Sequence, residues 1–374
     1  MLNYLNKKEI IANLQKQIKG LLKGSRALKI MHVCGTHEQT ISRYGLRHLL
    51  PSNLEVISGP GCPVCCTPAF DIDNLIRLGL EKKVAITCFG DMLRVTGSQK
   101  SLAQAKAAGA KVKIVYSILE AIEFAKENSR LEVVHSAIGF ETTAPTTAAV
   151  LLGPCPDNFS ILSSHRIIPP AMDALLAQKD NRIDGFIAPG HVSVIIGGKA
   201  YDQIVNKYKR PIVISGFEPA DILYSIYLIA RQIRENKPKV EIEYTRAVKW
   251  LPQKKAIRMM SRVFEVESCF WRGLGKIPNS GLVLKSKFRR FDALLKFGLR
   301  KQERDSAGFK NCLCAEVLKG KIYPDQCPSF AKACRPEHPV GPCMVSYEGS
   351  CAIFYSYRGS KKFSLSKKTL ESIA

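Results

Sequence analysis

Long apolar runs are missing from this sequence, and their absence excludes a membrane-spanning helix. A span needs about 18 uninterrupted apolar residues, whereas the nearest candidate, Ile222 to Ala230, is short and interrupted. The first 24 residues place apolar side chains at helical spacing among lysines, and they lack the continuous apolar core and cleavage site of a secretory signal. We expect an amphipathic surface helix there, and a soluble, cytoplasmic protein with no membrane partner.

Recognisable nucleotide and nucleic-acid motifs are missing as well. The glycine-containing segments at 59–61 and 197–198 match neither the GxGxxG nor the GxxxxGKS pattern, so we expect no dinucleotide cofactor. Acidic residues are scarce: the formal net charge is +24, of which +17 falls in residues 231–374. Basic surfaces attract nucleic acid, anionic membranes or acidic proteins. Because no nucleic-acid module is present, we interpret this charge as a solvated basic face and expect no nucleic-acid partner.

Cysteine, by contrast, is abundant. Thirteen cysteines in a chain of 374 residues without a recognisable secretory signal favour metal binding or thiol redox chemistry in a reducing compartment over a disulfide framework. Three lie together at 62, 65 and 66, and six more fall between Cys312 and Cys351. Isolated intracellular cysteines are most often packing residues. Cys88, Cys155 and Cys269 are isolated in sequence, and we assign them no functional role.

Short β-branched runs alternate with helical stretches from about residue 27 to residue 229, the pattern of parallel sheets covered by helices. We predict an α/β fold with two similar parallel-sheet domains, 1–125 and 126–236, that form a cleft. A C-terminal domain, 237–374, holds the cysteine-rich segment. Ligands of such sheets bind at the carboxyl ends of the strands. This placement brings the following residues to the cleft: Cys34, Cys62, Asp91, Glu141 and His191.

The cysteine-rich segment has the composition of a metal-binding domain. Four thiolates are the usual ligands of a [4Fe-4S] cluster or a structural zinc ion. Zinc knuckles normally use two short Cys-x-x-Cys pairs, which this segment lacks, so its wide spacings favour a cluster. A bound metal centre would also stabilise a segment with little regular structure. The six cysteines are Cys312, Cys314, Cys327, Cys334, Cys343 and Cys351.

Two further cysteine motifs lie upstream. GPGCPVCC contains the pair Cys62 and Cys65, which can hold a metal or cycle between dithiol and disulfide. Cys34 stands in CGTHE after a strand, where the N-terminus of the next helix would lower the pKa of its thiol and make it a nucleophile or an iron ligand. In the same loop, His37 and Glu38 are either proton donors, metal ligands or hydrogen-bonding groups, or ordered loop residues. Asp91, Glu141 and His191 are similar candidates, for which the alternative is a helix cap or a backbone anchor.

A series of motifs, in order along the chain, resembles one known family. From about Lys29 to Tyr357 they read CGTHEQTISRYGLRHLLP, ISGPGCPVCCTP, FGDMLRVTGSQKSL, AIGFETTAPTTA, PGHVSVIIG, GFEPADIL, WRGLGKIPNSGL, CAEVLKGKIYPDQCP and GPCMVSYEGSCA. Together they resemble the HypD family of hydrogenase maturation factors. The chain departs from the family pattern at Gln39, Thr96 and Cys66, and the extra thiol of Cys66 leaves open which neighbour pairs with Cys62.

The resemblance implies a [4Fe-4S] cluster in the C-terminal domain. The family pattern C-x14-C-x6-C-x16-C falls on Cys312, Cys327, Cys334 and Cys351. Two cysteines of the segment remain. We expect this pair to lie near the cluster as a redox dithiol, similar to the cluster-plus-disulfide arrangement of ferredoxin-thioredoxin reductase: Cys314 and Cys343.

The resemblance further implies that Cys34 holds a mononuclear iron, shared with the N-terminal cysteine of a small partner, HypC, while cyanide comes from HypE. Soft anionic sulfur suits iron that carries cyanide and carbon monoxide. His37, Cys62 and Cys65 would line the same cleft, with the cysteine pair supplying electrons. The expected function is a scaffold and electron donor for an Fe(CN)2CO group rather than conventional turnover. Alternatives are a cluster-dependent thiol-disulfide oxidoreductase and a zinc-stabilised nucleic-acid-binding protein.

Overall fold

The computed structural model describes residues 7–299 and 311–357. Its strands are β1 (Leu28–His32), β2 (Leu54–Ser58), β3 (Val84–Cys88), β4 (Lys111–Ile114), β5 (Glu132–Gly139), β6 (Phe159–His165), β7 (Gly185–Pro189), β8 (Ile212–Ser215), β9 (Val240–Ile242), β10 (Phe264–Trp271) and β11 (Gly275–Leu284). Its α-helices are α1 (Lys7–Leu22), α2 (Gly35–Arg43), α3 (Pro63–Cys66), α4 (Ala69–Gly79), α5 (Leu102–Ala107), α6 (Ile118–Glu127), α7 (Ala144–Leu151), α8 (Ile168–Leu176), α9 (Gly190–Ile196), α10 (Asp202–Tyr208), α11 (Pro219–Arg234), α12 (Lys254–Val263), α13 (Ala293–Lys296), α14 (Cys314–Leu318) and α15 (Ser350–Tyr357). Short 3₁₀ helices lie at Leu46–Leu49, Gly90–Arg94, Gly198–Tyr201, Ser286–Phe291, Pro324–Gln326 and Pro342–Met344.

The first sheet has five parallel strands in the order β2-β1-β7-β8-β9. His32 at the end of β1 pairs with Ser58 of β2 and with Ile187 of β7, so these strands end at one edge. Helices α1 and α11 pack together on this sheet, and Ile18 of α1 is fully buried in their shared core. The amphipathic helix predicted near the N-terminus is confirmed as α1.

The second sheet has four parallel strands in the order β4-β3-β5-β6. Every residue of β3 is buried, as expected for a strand covered on both faces. The parallel α/β class is therefore confirmed. The boundary predicted at 125/126 falls between β4 and β5, inside this sheet, because the chain leaves the first sheet after β2 and returns to it at β7. A local pattern identifies strands but does not say which sheet they join.

The chain after residue 236 is distributed over both sheets. Strand β9 completes the first sheet, and β10 and β11 form an antiparallel hairpin that packs beside β6. In the cysteine-rich segment, Val317 and Met344 are buried in the core of the second sheet, and α15 packs against α2. A separate C-terminal cluster domain therefore stays a prediction. None of the helices in the described ranges has the length and apolar character needed to cross a bilayer.

Candidate functional site

Cys34 lies just beyond β1, at the N-cap of α2, with an extended backbone (φ −151°, ψ 131°). Two neighbouring segments contact this part of the chain closely, each at a glycine that has no side chain to prevent the contact. A Cβ atom at Gly61 would lie 2.3 Å from the Cys34 backbone nitrogen, and one at Gly35 would lie 2.6 Å from the Glu348 carbonyl oxygen. Cys34 is therefore held between the loop that follows β2 and the loop that precedes α15.

The thiol of Cys34 is buried, and burial raises its pKa to about 11. Hydrogen bonds from the backbone N–H groups of His37 and Thr36 lower this pKa, as expected at a helix N-terminus, while the Glu348 carboxylate raises it. The expectation of a lowered thiol pKa is therefore wrong for the free protein, because desolvation outweighs the helix N-terminus.

His37 is a neutral, buried imidazole. Its Nε2–H donates to the Gly216 carbonyl oxygen at 3.0 Å, while its Nδ1 has no hydrogen-bond partner among the described residues. Burial lowers the pKa of His37 to about 3. The Phe217 ring lies 5.1 Å from the His37 ring and stacks at 3.9 Å on His191. His37 and His191 thus meet at one aromatic wall, and His37 keeps a free lone pair.

Glu38 has a structural role. Its carboxylate accepts hydrogen bonds from His32 Nε2 at 2.7 Å, from the hydroxyls of Ser42 and Ser58 at 2.5 and 2.7 Å, and from both Nη atoms of Arg47 at 2.9 and 2.6 Å. Desolvation raises the pKa of Glu38, but the charge and hydrogen bonds of Arg47 and the bond from His32 outweigh it, so the pKa is lowered. Because side-chain donors occupy both oxygens, the interpretation of Glu38 as an ordered structural residue fits better than that of a cleft residue.

The Glu348 carboxylate, in the loop before α15, acts on the Cys34 thiol, and Asp91, which follows β3, contacts this loop. Asp91 accepts a hydrogen bond from the Ser346 hydroxyl at 2.7 Å. Partial desolvation raises the pKa of Glu348, and the Asp91 carboxylate raises it further. Glu348 was missed by the sequence analysis, although it lies in the motif MVSYEGSC between two tail cysteines. Asp91 is thus brought to the site through its contact with the loop of residues 346–348.

Glu141 extends from the end of β5 toward elements of the first sheet. Its Oε1 accepts the Ile168 N–H at 3.0 Å, whereas Oε2 has no hydrogen-bond partner in the described residues. Burial raises the pKa of Glu141 to about 7. Burial also raises the pKa of Tyr201, with smaller contributions from Glu141 and Cys34. Glu141 and Cys34 therefore both lie close enough to the Tyr201 hydroxyl for their charges to act on it.

The Cys-x-x-Cys pair contacts the cysteine-rich segment. The Cys65 N–H donates to the sulfur of Cys62, which caps α3, at 3.3 Å. The Cys65 thiol lies 3.8 Å from the Pro342 carbonyl oxygen and hydrogen-bonds to the Cys343 thiol. Burial raises the pKa of Cys65, and the thiols of Cys343 and Cys62 raise it further. A thiol contact thus joins parts of the chain that are far apart in sequence.

Cys343 is the centre of a thiol group. Hydrogen bonds from Cys314, Cys351 and Cys65 lower its pKa, because they stabilise its thiolate. Cys312 lies 3.2 Å from Cys314, measured between their sulfur atoms. Cys314 and Cys343, the two cysteines left outside the predicted ligand set, are therefore neighbours; both contact Cys351, and Cys343 also contacts Cys65, while their role as a redox dithiol stays a prediction.

Comparison with known proteins decides the family. The HypD family model, described as the hydrogenase formation hypA family, matches residues 9–358. This chain belongs to the HypD family. A hydrogenase expression/formation protein of Methanocaldococcus jannaschii is 44% identical over 95% of this chain and 99% of its own length. Hydrogenase maturation factor HypD1 of Bradyrhizobium diazoefficiens is 41% identical over 94% and 95%, and HypD of Cupriavidus necator is 41% identical over 93% and 94%. The chain is a hydrogenase maturation factor.

The tail of this HypD-family chain fits an iron-sulfur cluster in the chemistry of its donors, which are soft thiols. Gly341 forms a cradle for two of them: a Cβ atom there would lie 2.4 Å from the Cys312 sulfur and 2.7 Å from that of Cys314. The Val340 N–H donates to the Cys334 sulfur at 3.3 Å. Among residues 7–299 and 311–357, no three His, Cys, Asp or Glu side chains stand ready to hold a metal ion, and no hydrogen bond joins the Cys327 thiol to another cysteine. The four-cysteine ligand set remains a prediction.

Arg47 is a second residue of this HypD-family site that sequence reasoning missed. Its guanidinium lies over the rings of Tyr323 and Phe354, at 5.7 and 5.8 Å from their centroids, while it binds Glu38. Phe354 belongs to α15, the helix that carries Cys351. Arg47 therefore connects the Cys34 loop to the cysteine-rich segment. The arginine in YGLRHLL gave no local signal beyond its charge, because its partners are distant in sequence.

Proposed function

We propose that this chain is the scaffold and electron donor on which the Fe(CN)2CO group of a [NiFe] hydrogenase is assembled. Iron, the cargo, would be held by Cys34 together with a HypC-type chaperone, and cyanide would be accepted from a HypE-type partner. The position of Cys34 carries the proposal: it is a buried thiol at a helix N-terminus, next to the loop before α15 and close to strand ends of both sheets.

Cys34 loses its proton when it binds iron. The free thiol stays protonated at neutral pH because burial raises its pKa, and an incoming cation supplies the positive charge that reverses this effect. The backbone N–H groups at the start of α2 then stabilise the bound sulfur. Glu348, with its raised pKa, is suited to accept the released proton. The neutral His37 offers its Nδ1 lone pair to the iron or to a ligand on it.

Electrons would reach the cleft through thiols. A [4Fe-4S] cluster held by Cys312, Cys327, Cys334 and Cys351 would supply single electrons. The thiolate of Cys343 attacks Cys65 in a Cys62–Cys65 disulfide, and Cys62 leaves as a thiolate. Cys314 then attacks Cys343 and releases Cys65. The Cys62–Cys65 pair gains two electrons, and Cys314 and Cys343 form the new disulfide. Two single electrons from the cluster, itself reduced by an external one-electron donor, would return this disulfide to two thiols.

Infrared spectroscopy tests the scaffold directly. We expect bands from iron-bound cyanide and carbon monoxide in the anaerobically purified complex with its HypC-type chaperone. They should vanish in Cys34→Ala and persist in Cys155→Ser, which alters a cysteine outside the site. The brown colour of the cluster should remain in both variants. A brown, iron-replete wild-type complex without these bands would refute the scaffold.

A thiol-disulfide oxidoreductase is the second candidate, favoured by the Cys65–Cys343 contact. Such an enzyme would reduce a disulfide substrate with no mononuclear iron bound. Its turnover should therefore survive in Cys34→Ala and be lost in Cys65→Ser. If the wild-type protein, supplied with reductant, does not turn over a small disulfide, this candidate fails.

A further inference from the structure

A cavity of about 230 Å³ lies between the start of α4, the end of β6 and the β10–β11 hairpin. We call it the hairpin cavity. Ligand pockets in proteins usually have volumes of about 300–1,000 Å³, so this one has room for a small molecule only. None of its lining residues belongs to the predicted iron or cluster sites. Any ligand of the hairpin cavity would therefore be distinct from the proposed cargo.

An irregular hairpin opens the cavity. Ser268 of β10 lies opposite three residues of β11, 278–280, so the regular pairing of the two strands is interrupted there. Gly281 follows, and a Cβ atom at this position would lie 2.7 Å from the Cys269 sulfur. Bulges bend a strand and change the direction of its side chains, and they are frequent beside functional sites. The bend turns this part of the hairpin toward the end of β6, where Arg166 pairs with Gly281.

Asp71 presents a carboxylate oxygen to the cavity. Its Oδ2 accepts a hydrogen bond from the Ser164 hydroxyl and lies 3.5 Å from Nη2 of Arg166. Its Oδ1 has no hydrogen-bond partner among residues 7–299 and 311–357. Desolvation raises the pKa of Asp71, although the charge of Arg166 lowers it. An ammonium group in the cavity would supply a donor for Oδ1 and would stabilise the charged carboxylate.

Lys276 is the cation that can bind a ligand. The guanidinium of Arg166 is already occupied, because Nε and Nη2 donate to the Phe270 carbonyl oxygen at 3.2 and 3.0 Å and Nη1 donates to that of His165 at 3.3 Å. Lys276 is exposed and has no ion-pair partner in the described part of the chain. Its flexible stem allows the ammonium to follow a ligand carboxylate.

The charges around the cavity balance. Two carboxylates, of Asp71 and Glu267, face two cations, of Arg166 and Lys276. A ligand with both an ammonium and a carboxylate keeps this balance, whereas an amine or an acid alone would disturb it. The remaining wall is largely apolar and suits an apolar or aromatic side chain. It is formed by Pro68, Phe70, Phe270, Leu282, Val283 and Leu294.

We propose that the hairpin cavity binds an α-amino acid with an apolar side chain, whose ammonium group contacts Asp71 and whose carboxylate contacts Lys276. The inference does not rest on the proposed function. The cavity nevertheless lies beside the thiol motif, since Asp71 follows Cys66 by five residues and Arg166 also lowers the pKa of Cys66. A bound amino acid would hold the start of α4, the helix that follows this motif.

Calorimetric titration of the complete, anaerobic protein with L-phenylalanine tests the proposal. We expect a Kd of about 0.1 to 1 mM, as is usual for so small a ligand. Phenethylamine lacks the carboxylate and phenylpropionate lacks the ammonium group. Each should bind at least about tenfold more weakly, because a hydrogen bond to a charged group is lost.

Variants locate the site. Lys276→Gln should raise the Kd for L-phenylalanine about tenfold, whereas Lys255→Gln, at an exposed lysine elsewhere, should not change it. Asp71→Asn should also weaken binding, but it removes the counter-charge of the buried Arg166 as well. Ser268→Trp leaves that ion pair intact and fills the cavity from an exposed position, so it should abolish binding.

The results decide the proposal in either direction. If the wild-type protein does not bind L-phenylalanine or L-leucine at concentrations well above this Kd, or if Lys276→Gln and Ser268→Trp bind as wild type does, the proposal is overturned. If phenethylamine binds as tightly as L-phenylalanine, the cavity is a cation site and the amino-acid assignment is wrong. Each of these results leaves the iron scaffold standing, because the infrared bands test it separately.

Discussion

Removal of Arg47 tests the buried charge network beneath Cys34. The substitution Arg47→Met keeps most of the apolar stem and deletes the guanidinium that donates to both Glu38 oxygens. The Glu38 side chain is 1% exposed, so its carboxylate would stay buried with only neutral hydroxyls and His32 as partners. The loss should therefore reflect a buried, unpaired charge.

The structure sets the size of this effect. Removing one partner of a buried ion pair costs ~3–5 kcal/mol. Two features place Arg47 toward the lower end: its side chain is 19% exposed, and Glu38 keeps three other donors. Lost contacts of the guanidinium with Tyr323 and Phe354 add ~0.5–1 kcal/mol. We expect a total loss of about 3 to 4 kcal/mol in the free energy of unfolding.

Urea unfolding of the anaerobic protein, followed by tryptophan fluorescence, measures this loss. Arg43→Met, which alters an exposed arginine at the end of α2, the helix that carries Glu38, is the matched control and should change stability by less than ~0.5 kcal/mol. The double variant Glu38→Gln/Arg47→Met should lose less than the sum of the single variants. A loss below about 1 kcal/mol for Arg47→Met, or strict additivity, would refute the buried network.

The same pair predicts a dependence on pH. Arg47 lowers the folded-state pKa of Glu38 despite burial. The stabilisation that the Glu38 carboxylate contributes is therefore present above the pKa of Glu38 in the unfolded chain, ~4.3, and it is lost as the pH falls through the lower pKa of Glu38 in the folded protein. The stability difference between wild type and Arg47→Met should narrow as the pH is lowered below about 4. A constant difference would contradict this assignment.

Two further predictions concern the cleft. Gly61→Ala places a Cβ atom against the Cys34 backbone, so it should lower the free energy of unfolding by more than ~2 kcal/mol and abolish the infrared bands. The control Gly20→Ala, at a position with open space around it, should be tolerated. A stable Gly61→Ala protein that keeps the infrared bands would contradict the close contact between Gly61 and Cys34. Because burial raises the pKa of Glu141 to about 7, wild type should lose stability as pH rises from about 4.3 to 7, so Glu141→Gln should gain up to ~3 kcal/mol relative to wild type between pH 5 and 8 in thermal unfolding. If the difference in stability between Glu141→Gln and wild type stays constant over that pH range, the raised pKa of Glu141 is refuted.

The sequence predicted local features well. Strand ends followed by Gly-containing loops indicated where Cys34, Asp91, Glu141 and His191 would lie, and the two parallel sheets confirmed the α/β class. It did not predict which strands share a sheet. The sequence of an apolar strand is similar whichever neighbour it pairs with. The pairing of β7 with β1 therefore could not be predicted from the local sequence.

Electrostatic balance was equally hidden from the sequence. The helix N-terminus at Cys34 was visible in CGTHE, but the burial that outweighs it depends on contacts from Gly61 and from the loop before α15. Glu38 looked like a site residue because it neighbours a reactive thiol. Its actual role depends on Arg47 and on Ser58 in the adjoining strand, which only the folded structure brings together.

The crossing of the chain between its two sheets imposes an order on biosynthesis. Strands β3 to β6 are contiguous in sequence, so the second sheet can form while later residues are still on the ribosome. Strand β1 can pair with β7 only after β7 has been synthesised. In the same way, Arg26 can bind Asp184 only after a further 158 residues have been added to the chain. Cys65 meets Pro342 only after 277 residues, and the Glu348 loop closes on Gly35 last. The surroundings of Cys34, the proposed iron site, are therefore completed only after residue 348 has been synthesised, so a nascent chain or one truncated before this residue lacks them.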